Sequence, residues 1–284
     1  MDIGIGLPTT VPGADGRGLV EFARRAERHG FSTLAVLDRL VYDSYDSVVA
    51  LAAAAAVTER ITLATSILLA ACRQSPALLA KQLASLDRIA GGRFVLGVAA
   101  GGRPDDYAAT GADYARRGRR LDTVLDELRE VWEGKGAVPG IGPQPAGGIP
   151  LWIGGHSTAA LRRAGERGAG WIAPGGSVSG YADLVRRARQ VWAEQSREDA
   201  PRMVALAYVS LGEDGAEVGG RYLRSYYSYL DAKADRLAAS VIADAGRLRE
   251  VVDGYAEAGC DELLVFPCTG DPARLDLIAT AALP

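Results

Sequence analysis

A glycine-rich turn that carries hydroxyl side chains is the most suggestive chemical feature of the sequence. The stretch "PLWIGGHSTAALRR" at 150–163 runs a short apolar segment into a helical pattern. Between them stand Gly154, Gly155, His156, Ser157 and Thr158. Free backbone amides at a helix N-terminus, with hydroxyl donors beside them, favour a bound phosphate. The alternative is a tight turn in which Ser157 only caps the helix.

A second glycine pair and a histidine lie near this turn in the predicted site. Gly175 and Gly176, in "PGGSVSG" at 174–180, offer further backbone amides. His156 lies inside the phosphate turn, where it either donates to the phosphate or a ring edge, or is a solvated turn residue. We therefore predict that these residues belong to one anion-binding region.

Charged residues follow two other apolar segments. Asp38 and Arg39 are the catalytic candidates: Asp38 as the acid that orients a polar network, with Arg39 paired to it or turned toward the substrate. The alternative is a structural ion pair. Arg103 either reaches a phosphate or a substrate carboxylate or lies in a surface loop.

Aromatic and thiol residues have simpler interpretations. The tyrosines at 222, 226, 227 and 229 lie on a helical pattern and are expected to form an interface or core stripe, with a substrate wall as the alternative. Cys268 has no neighbouring histidine base and is interpreted as a packing residue. No cysteine or histidine spacing indicates a metal site.

Apolar strand-like segments alternate with amphipathic helical ones along the whole chain. Eight strands are predicted: Ile3–Leu7, Thr33–Leu37, Ile61–Leu68, Phe94–Val98, Leu151–Ile153, Trp171–Ile172, Met203–Val209 and Glu262–Phe266. Helical patterns between them end at Gly30, Gly91 and Gly134. Short continuous apolar strands separated by helices indicate a parallel sheet covered on both faces. Eight such units predict a closed (β/α)8 TIM barrel with its chemistry at the carboxyl ends of the strands.

The chain is expected to be one domain, residues 1–284. An open doubly wound sheet is the alternative, but prolines follow the first strand where a nucleotide-binding helix should start. The glycine- and proline-rich stretch at 134–150 reads as one irregular loop. The stretch at 219–246 is longer than a crossover helix requires and is predicted to be a helical insertion before the last strand.

Composition excludes several classes of protein. With 284 residues, 48% of them hydrophobic, and a net charge of −3, the chain is globular and lacks the basic surface of a nucleic-acid-binding protein. The apolar run at 48–57 is too short to span a membrane and is interpreted as a buried helix. Three cysteines without a disulfide pattern fit a reducing compartment, so a cytoplasmic location is expected.

The order of segments resembles the bacterial luciferase-like flavin-dependent oxidoreductases across essentially the whole chain. The most specific part is "LDRIAGGRFVLGVAAGG" with "PLWIGG" downstream. The resemblance implies a (β/α)8 barrel that binds reduced flavin mononucleotide (FMN) or the 5-deazaflavin coenzyme F420 at the carboxyl ends of its strands. It also implies redox chemistry on a small organic substrate, either monooxygenation with O2 or hydride transfer.

The resemblance also implies particular site residues. The family's phosphate contacts correspond to Gly154, Gly155, Ser157 and Thr158. The segment "ATSIL" matches the place where a non-prolyl cis peptide faces the isoalloxazine ring, which we predict between Ser66 and Ile67. The complete set of predicted cofactor-binding residues is Thr65, Ser66, Ile67, Ala99, Gly101, Arg103, Gly154, Gly155, His156, Ser157, Thr158, Gly175 and Gly176.

Two departures from the family pattern qualify this resemblance. Family members often have histidine after the second strand, where this chain has Arg39, whose guanidinium stays protonated at any physiological pH. Luciferases have a reactive cysteine and a phosphate-binding arginine where this chain has Ala99 and Ala100, which argues against light emission.

The functional prediction is a monooxygenase that uses reduced FMN and O2. FMN is favoured because a single phosphate suits the compact glycine turn, whereas the acidic tail of F420 needs more lysine or arginine. The alternatives are an F420-dependent hydride-transfer enzyme and a non-catalytic flavin-binding protein. A phosphate-sugar lyase or isomerase is disfavoured because no lysine or glutamate follows the strands. Expected partners are a small-molecule substrate, a separate flavin reductase and a second copy of the chain.

Overall fold

In the part of the chain that the structure describes, eight parallel strands close into a barrel in which each strand pairs with its neighbours in chain order, and the first pairs with the last. The computed structural model describes residues 1–195 and 197–284. The strands are β1 Asp2–Gly6, β2 Thr33–Val36, β3 Thr62–Thr65, β4 Phe94–Val98, β5 Leu151–Gly154, β6 Gly170–Ile172, β7 Arg202–Val209 and β8 Glu262–Pro267. The predicted TIM barrel is confirmed, and seven strands match their predicted bounds to within one residue at each end.

The third strand is shorter than predicted. It was expected to run to Leu68 but ends at Thr65, and the next two residues, Ser66 and Ile67, are joined by a cis peptide bond. Leu68 rejoins the sheet through an isolated bridge to Val98. The predicted position of the non-prolyl cis bond is therefore confirmed.

Helices cover the outside of the barrel. In chain order they are α1 Gly16–His29, α2 Ser47–Ala55, α3 Pro76–Ile89, α4 Pro104–Thr110, α5 Arg117–Trp132, α6 Thr158–Arg167, α7 Val178–Ala193, α8 Gly215–Tyr226, α9 Ala232–Ala239, α10 Ala245–Glu257 and α11 Pro272–Ala282. The three glycines predicted to end helices, Gly30, Gly91 and Gly134, all have positive φ. They lie at or just beyond the last helical residue, as the capping rule requires.

The predicted insertion before the last strand is present. Helix α8, a short 3₁₀ turn at Ser228–Leu230 and helix α9 lie between β7 and the crossover helix α10. The insertion begins a few residues earlier than predicted, at Gly215. Its aromatic residues Tyr222 and Tyr226 belong to a buried cluster that also contains strand residues such as Trp152 and Phe266. The insertion therefore covers the end of the barrel where the strands finish.

Helix α2 is exposed on one face, which corrects the expectation that the run at 48–57 is a buried helix. Its nine residues, SVVALAAAA, contain no charged side chain, yet Val49 is 68% exposed. Ala53 lies one turn further along the same face and is also exposed. Among the residues that the structure describes, no helix has the length and apolar character needed to cross a membrane.

Candidate functional site

A cavity of about 770 Å³ opens at the carboxyl ends of the strands, between the loops that follow them and the insertion. Twelve of the fifteen predicted site residues line it: Asp38, Arg39, Ser66, Ile67, Ala99, Gly101, Arg103, Gly154, Gly155, His156, Ser157 and Gly175. The other three, Thr65, Thr158 and Gly176, do not line it. Thr65 lies beneath, with its hydroxyl donating to the carbonyl of Gly97 at 2.6 Å. Residues more than a hundred positions apart thus meet at one end of the barrel.

The glycine turn after β5 leads directly into helix α6. Gly155 has φ of +121°, and a Cβ there would lie 2.9 Å from the Cβ of Ala160, so the turn requires glycine. Ser157 is the N-cap: its hydroxyl oxygen accepts from the backbone N–H of Ala160 at 3.2 Å. Its own hydroxyl proton remains available, and the first-turn amides of α6 have no partner within the helix. The turn combines the capping role with a surface suited to an anion.

Two arginines on the cavity wall were missed by the sequence analysis. Arg163 of α6 is buried and donates to both carboxylate oxygens of Asp122, at 2.5 and 3.0 Å. This hydrogen bond is the main reason why the pKa of Asp122 lies below its ordinary value.

The second missed residue is Arg117, at the start of α5. It donates to the carbonyl of Tyr114 at 2.9 Å and its guanidinium lies 4.0 Å from the centre of that ring. In residues 1–195 and 197–284 it forms no ion pair with a carboxylate. Arg117 belongs to the run "ARRGRR" at 115–120, and the helical phase that turns it toward the cavity cannot be read from an arginine cluster.

Asp38 is held by three groups other than its neighbour in the chain. Its carboxylate accepts from the hydroxyl of Ser47 at 3.0 Å, the backbone N–H of Leu69 at 2.9 Å and the guanidinium of Arg73 at 2.9 and 3.1 Å. The expected pair between Asp38 and Arg39 is therefore wrong. Asp38 instead positions the segment that follows the cis bond.

Arg39 is buried and bonds to a different carboxylate. Its Nε donates to Asp106 at 3.1 Å, and Asp106, which is fully buried, also accepts from the backbone N–H groups of Leu40 and Val41. The geometry leaves the Arg39 guanidinium compensated rather than free to bind an anionic group.

Arg103 is anchored in the same way, so its interpretation as a surface-loop residue is wrong. It donates to Asp105 at 2.6 Å and to the carbonyl of Tyr226 at 3.2 Å, and Arg39 donates to the same carbonyl at 3.4 Å. The guanidinium of Arg103 also lies 4.1 Å from the centre of the Tyr229 ring. Together the two arginines hold the insertion over the cavity.

Tyrosines form one side of the cavity, although Tyr222 and Tyr226 also belong to a buried cluster, as the interpretation of a core stripe predicted. Tyr226, Tyr227 and Tyr229 of the insertion line it together with Tyr208 of β7. We call these four residues the tyrosine wall. Tyr222 lies outside the lining, and its hydroxyl is hydrogen-bonded to that of Thr10 at 2.7 Å.

The thiols are packing residues in the structure. Cys268 is 2% exposed, and burial raises its pKa well above the ordinary value, so the thiol stays protonated. Burial likewise raises the pKa of Cys72 and Cys260 to about 11. In the part of the chain that the structure describes, no three histidine, cysteine or acidic side chains are grouped as metal ligands would be.

Comparison with known proteins defines the class. The family described as luciferase-like monooxygenase matches residues 1–265. The chain therefore belongs to the luciferase-like monooxygenase family.

The individual relatives include an uncharacterized protein and an F420-dependent enzyme. An uncharacterized protein of Mycobacterium tuberculosis is 30% identical over 233 residues, covering 71% of this chain and 78% of that protein. An F420-dependent glucose-6-phosphate dehydrogenase of Kribbella flavida is 28% identical over 230 residues, covering 72% and 69%.

A solved structure with a similar fold is monooxygenase RslO1 from Streptomyces bottropensis, with a TM-score of 0.84, 21% identity and coverage of 100% of this chain and 99% of that one. The structure of an F420-dependent secondary alcohol dehydrogenase has a TM-score of 0.82 and 18% identity, and the match covers 99% of this chain and 98% of that one. Both share the barrel fold.

Proposed function

We propose that the protein is a flavin-dependent oxidoreductase, and specifically a monooxygenase that uses reduced FMN and O2 on a small organic substrate. The observation that carries the proposal is the combination of three features around one cavity: the glycine turn at the N-terminus of α6, Arg117, which has no carboxylate partner among the described residues, and the Ser66–Ile67 segment. The glycine turn and Arg117 suit a phosphate, and the Ser66–Ile67 segment provides a surface for a flat ring.

The residues present fit such a cofactor. The Ser66 hydroxyl is buried without a hydrogen-bond partner among the described residues, although it lines the cavity. A buried hydroxyl normally has a partner, so this one suits a polar edge of a bound ring. Gly154 packs close to the same segment: a Cβ there would lie 3.0 Å from Ile67 and 3.2 Å from Ala99, so only glycine lets the turn after β5 approach the Ser66–Ile67 segment this closely.

Charge compensation favours FMN over F420. Three of the four arginines that line the cavity are bonded to carboxylates: Arg39 to Asp106, Arg103 to Asp105 and Arg163 to Asp122. Arg117 alone has no acidic partner in the described ranges. One uncompensated cation beside a helix N-terminus matches one phosphate better than a tail with several carboxylates.

When bound, reduced FMN would supply the electrons that activate O2. The chain's own residues bind the cofactor, orient it and shield it from water. The turn after β5 and Arg117 bind the phosphate, Ser66 and Ile67 orient the ring, and the insertion, held by Arg39 and Arg103, limits the access of water. Arg39 cannot act as a proton carrier, which leaves the hydroxyl groups of the lining and the imidazole of His156 to hold protons in the cavity.

F420-dependent hydride transfer is the second candidate. It is favoured by the similarity to the F420-dependent glucose-6-phosphate dehydrogenase of Kribbella flavida over 230 residues. A flavin-binding protein without catalysis is the third, because the usual histidine after the second strand is absent.

A cofactor titration followed by an O2-consumption assay distinguishes the three candidate functions. The purified chain is titrated with FMN and with F420, and O2 consumption is then followed with chemically reduced FMN and a panel of small organic compounds. We expect FMN to bind more tightly than F420 and at least one compound to raise O2 consumption. Tighter binding of F420 would favour hydride transfer, and FMN binding with no substrate-dependent reaction would favour a binding protein.

We also propose a homodimer, with reduced FMN supplied by a separate reductase. Helix α2 is apolar on all sides, and a helix of that kind is normally covered on all sides. Val49 of α2 and Leu78 of α3, which is 55% exposed, add apolar surface on neighbouring helices. A second copy of the chain would cover this surface through a two-fold contact.

A further inference from the structure

The tyrosine wall contains a hydroxyl pair that the proposed cofactor site does not use. Tyr208 extends from β7 and Tyr227 from the insertion, and their hydroxyl oxygens lie 2.8 Å apart. The two rings meet edge to face, with centroids 5.9 Å apart. The pair therefore joins the barrel to its cover at the surface of the cavity.

The number of hydroxyl protons in the pair of Tyr208 and Tyr227 decides whether the pair can donate a hydrogen bond to a ligand. Two hydroxyls carry two protons, and their mutual hydrogen bond uses one of them. No other hydrogen bond is formed by either hydroxyl among the residues described. One O–H group is left to donate. Burial raises the pKa of Tyr227 to about 12 and that of Tyr208 well above 10, so both remain protonated at neutral pH and act as donors, not as bases.

The surroundings of this donor are largely aromatic and aliphatic, and the two arginines near them are paired with carboxylates. Tyr226 and Tyr227 meet edge to face at 5.0 Å, and Leu37 and Leu206 complete this part of the lining. Arg39 and Arg103 also line the cavity, but their charges are compensated by Asp106 and Asp105. Among the described residues, the arginines in contact with the insertion's tyrosines are thus both paired, which disfavours a phosphorylated or carboxylated substrate at this wall.

We propose that the hydroxyl pair of Tyr208 and Tyr227 binds the carbonyl oxygen of a planar, conjugated substrate, which the tyrosine wall holds by ring packing. Aromatic side chains bind flat rings by offset or edge-to-face contact, and a neutral O–H donor suits a neutral carbonyl acceptor. The substrate class is thus an uncharged aromatic or conjugated ketone or aldehyde. The reaction of such a substrate rests on the proposed function, whereas its binding to the hydroxyl pair does not.

A pair of probes with and without the carbonyl tests the inference. Equilibrium dialysis measures the binding of 2-acetylnaphthalene and of 2-ethylnaphthalene to the full chain, with and without saturating oxidised FMN. We expect the ketone to bind about three- to tenfold more tightly than the hydrocarbon, the contribution of one neutral hydrogen bond. In the Tyr208→Phe/Tyr227→Phe double variant this ratio should fall to about one.

Tyr222→Phe is the matched control, because it removes a hydroxyl from the same aromatic cluster but outside the cavity lining; it should keep the ratio of the unmodified protein. A ratio near one in the unmodified protein, or a ratio retained in the double variant, would overturn the proposal. The FMN affinity of each variant is measured in parallel. If FMN does not bind the unmodified protein, the proposed function fails, while the ratio measured without FMN still tests the hydroxyl pair.

A second measurement does not depend on the double variant folding. The infrared carbonyl stretch of 2-acetylnaphthalene bound to the unmodified protein should lie at lower frequency than in an apolar solvent, because the carbonyl accepts a hydrogen bond. A stretch at the apolar-solvent frequency would contradict the proposal.

Discussion

The carboxylate of Asp38 bonds to the guanidinium of Arg73, 35 residues along the chain, at 2.9 and 3.1 Å, although Arg39 stands next to it in the sequence. The same carboxylate accepts the backbone N–H of Leu69, just after the Ser66–Ile67 bond. Asp38 thus holds the segment against which a flavin ring is proposed to lie, and acts as a positioning residue.

Replacement of Asp38 by Asn tests this role. The variant keeps the size but loses charge-assisted bonds to Arg73, so we expect the free energy of unfolding to fall by about 1–3 kcal/mol. Urea unfolding measures it. Asp46→Asn is the control, because the exposed Asp46 also contacts Arg73, at 3.2 Å, and asparagine retains its N-cap function. A hundredfold loss of turnover with unchanged stability would instead make Asp38 catalytic.

The glycine turn is tested at Gly155. With φ of +121° and only 2.9 Å to Ala160, an added Cβ distorts the turn, so Gly155→Ala should weaken FMN binding. Gly155→Asp adds a like charge beside the phosphate, and we expect its total loss to be about 1–3 kcal/mol. Gly147→Ala, at a glycine with open space around it, should change nothing. Fluorescence titration with FMN gives the affinities, and equal dissociation constants for all variants would remove the phosphate from this turn.

Arg117 should discriminate FMN from riboflavin. Among the described arginines of the cavity wall, its guanidinium is the one without a carboxylate partner, so Arg117→Met should weaken FMN binding about 10- to 100-fold, as expected for a charged hydrogen bond. Riboflavin, which lacks the phosphate, should bind the variant and the unmodified protein equally. Arg119→Met, on the exposed side of the same helix, is the control. A loss that is the same for both flavins would assign Arg117 a structural role.

Alkaline pH should destabilise the fold through Tyr227. Its pKa is raised by burial to about 12 in the folded state, against an ordinary value of 10, so the folded state binds the proton more tightly than the unfolded state. Its contribution to stability is complete below pH 10 and is lost as the pH rises through about 12. Urea unfolding at pH 9.0, 10.5 and 11.5 should show a smaller alkaline decline for Tyr227→Phe. An identical decline would show that the hydroxyl ionises normally.

The proposed dimer is tested on helix α2. Val49→Glu places a charge on the exposed apolar face and should convert the dimer to a monomer, as measured by light scattering after size-exclusion chromatography. Val138→Glu is the matched control, because Val138 is also a valine, 65% exposed, but lies in the loop at 134–150. A dimer that survives Val49→Glu, or an unmodified protein that is already monomeric, would exclude this face.

The sequence by itself determined the barrel, its eight strands and a set of fifteen site residues, twelve of which line the cavity. Apolar segments and helical periodicity are local properties, and once they alternate eight times the closed sheet brings the strand ends together. The family resemblance added the cis bond between Ser66 and Ile67, which the structure confirms.

Only the tertiary structure decided which charges are paired and which side chains face the cavity. Asp38 and Arg39 are neighbours in the chain, but their side chains leave the end of β2 in different directions. Asp38 bonds to Arg73, whereas Arg39 bonds to Asp106. Arg117 and the tyrosines of the insertion lie in helical segments. Successive side chains of a helix point in different directions, so an error of one residue in the helix position changes which side chain faces the cavity. Their contacts depend on how the insertion and α5 pack against the barrel, and ion pairs between distant residues leave no local pattern in the sequence.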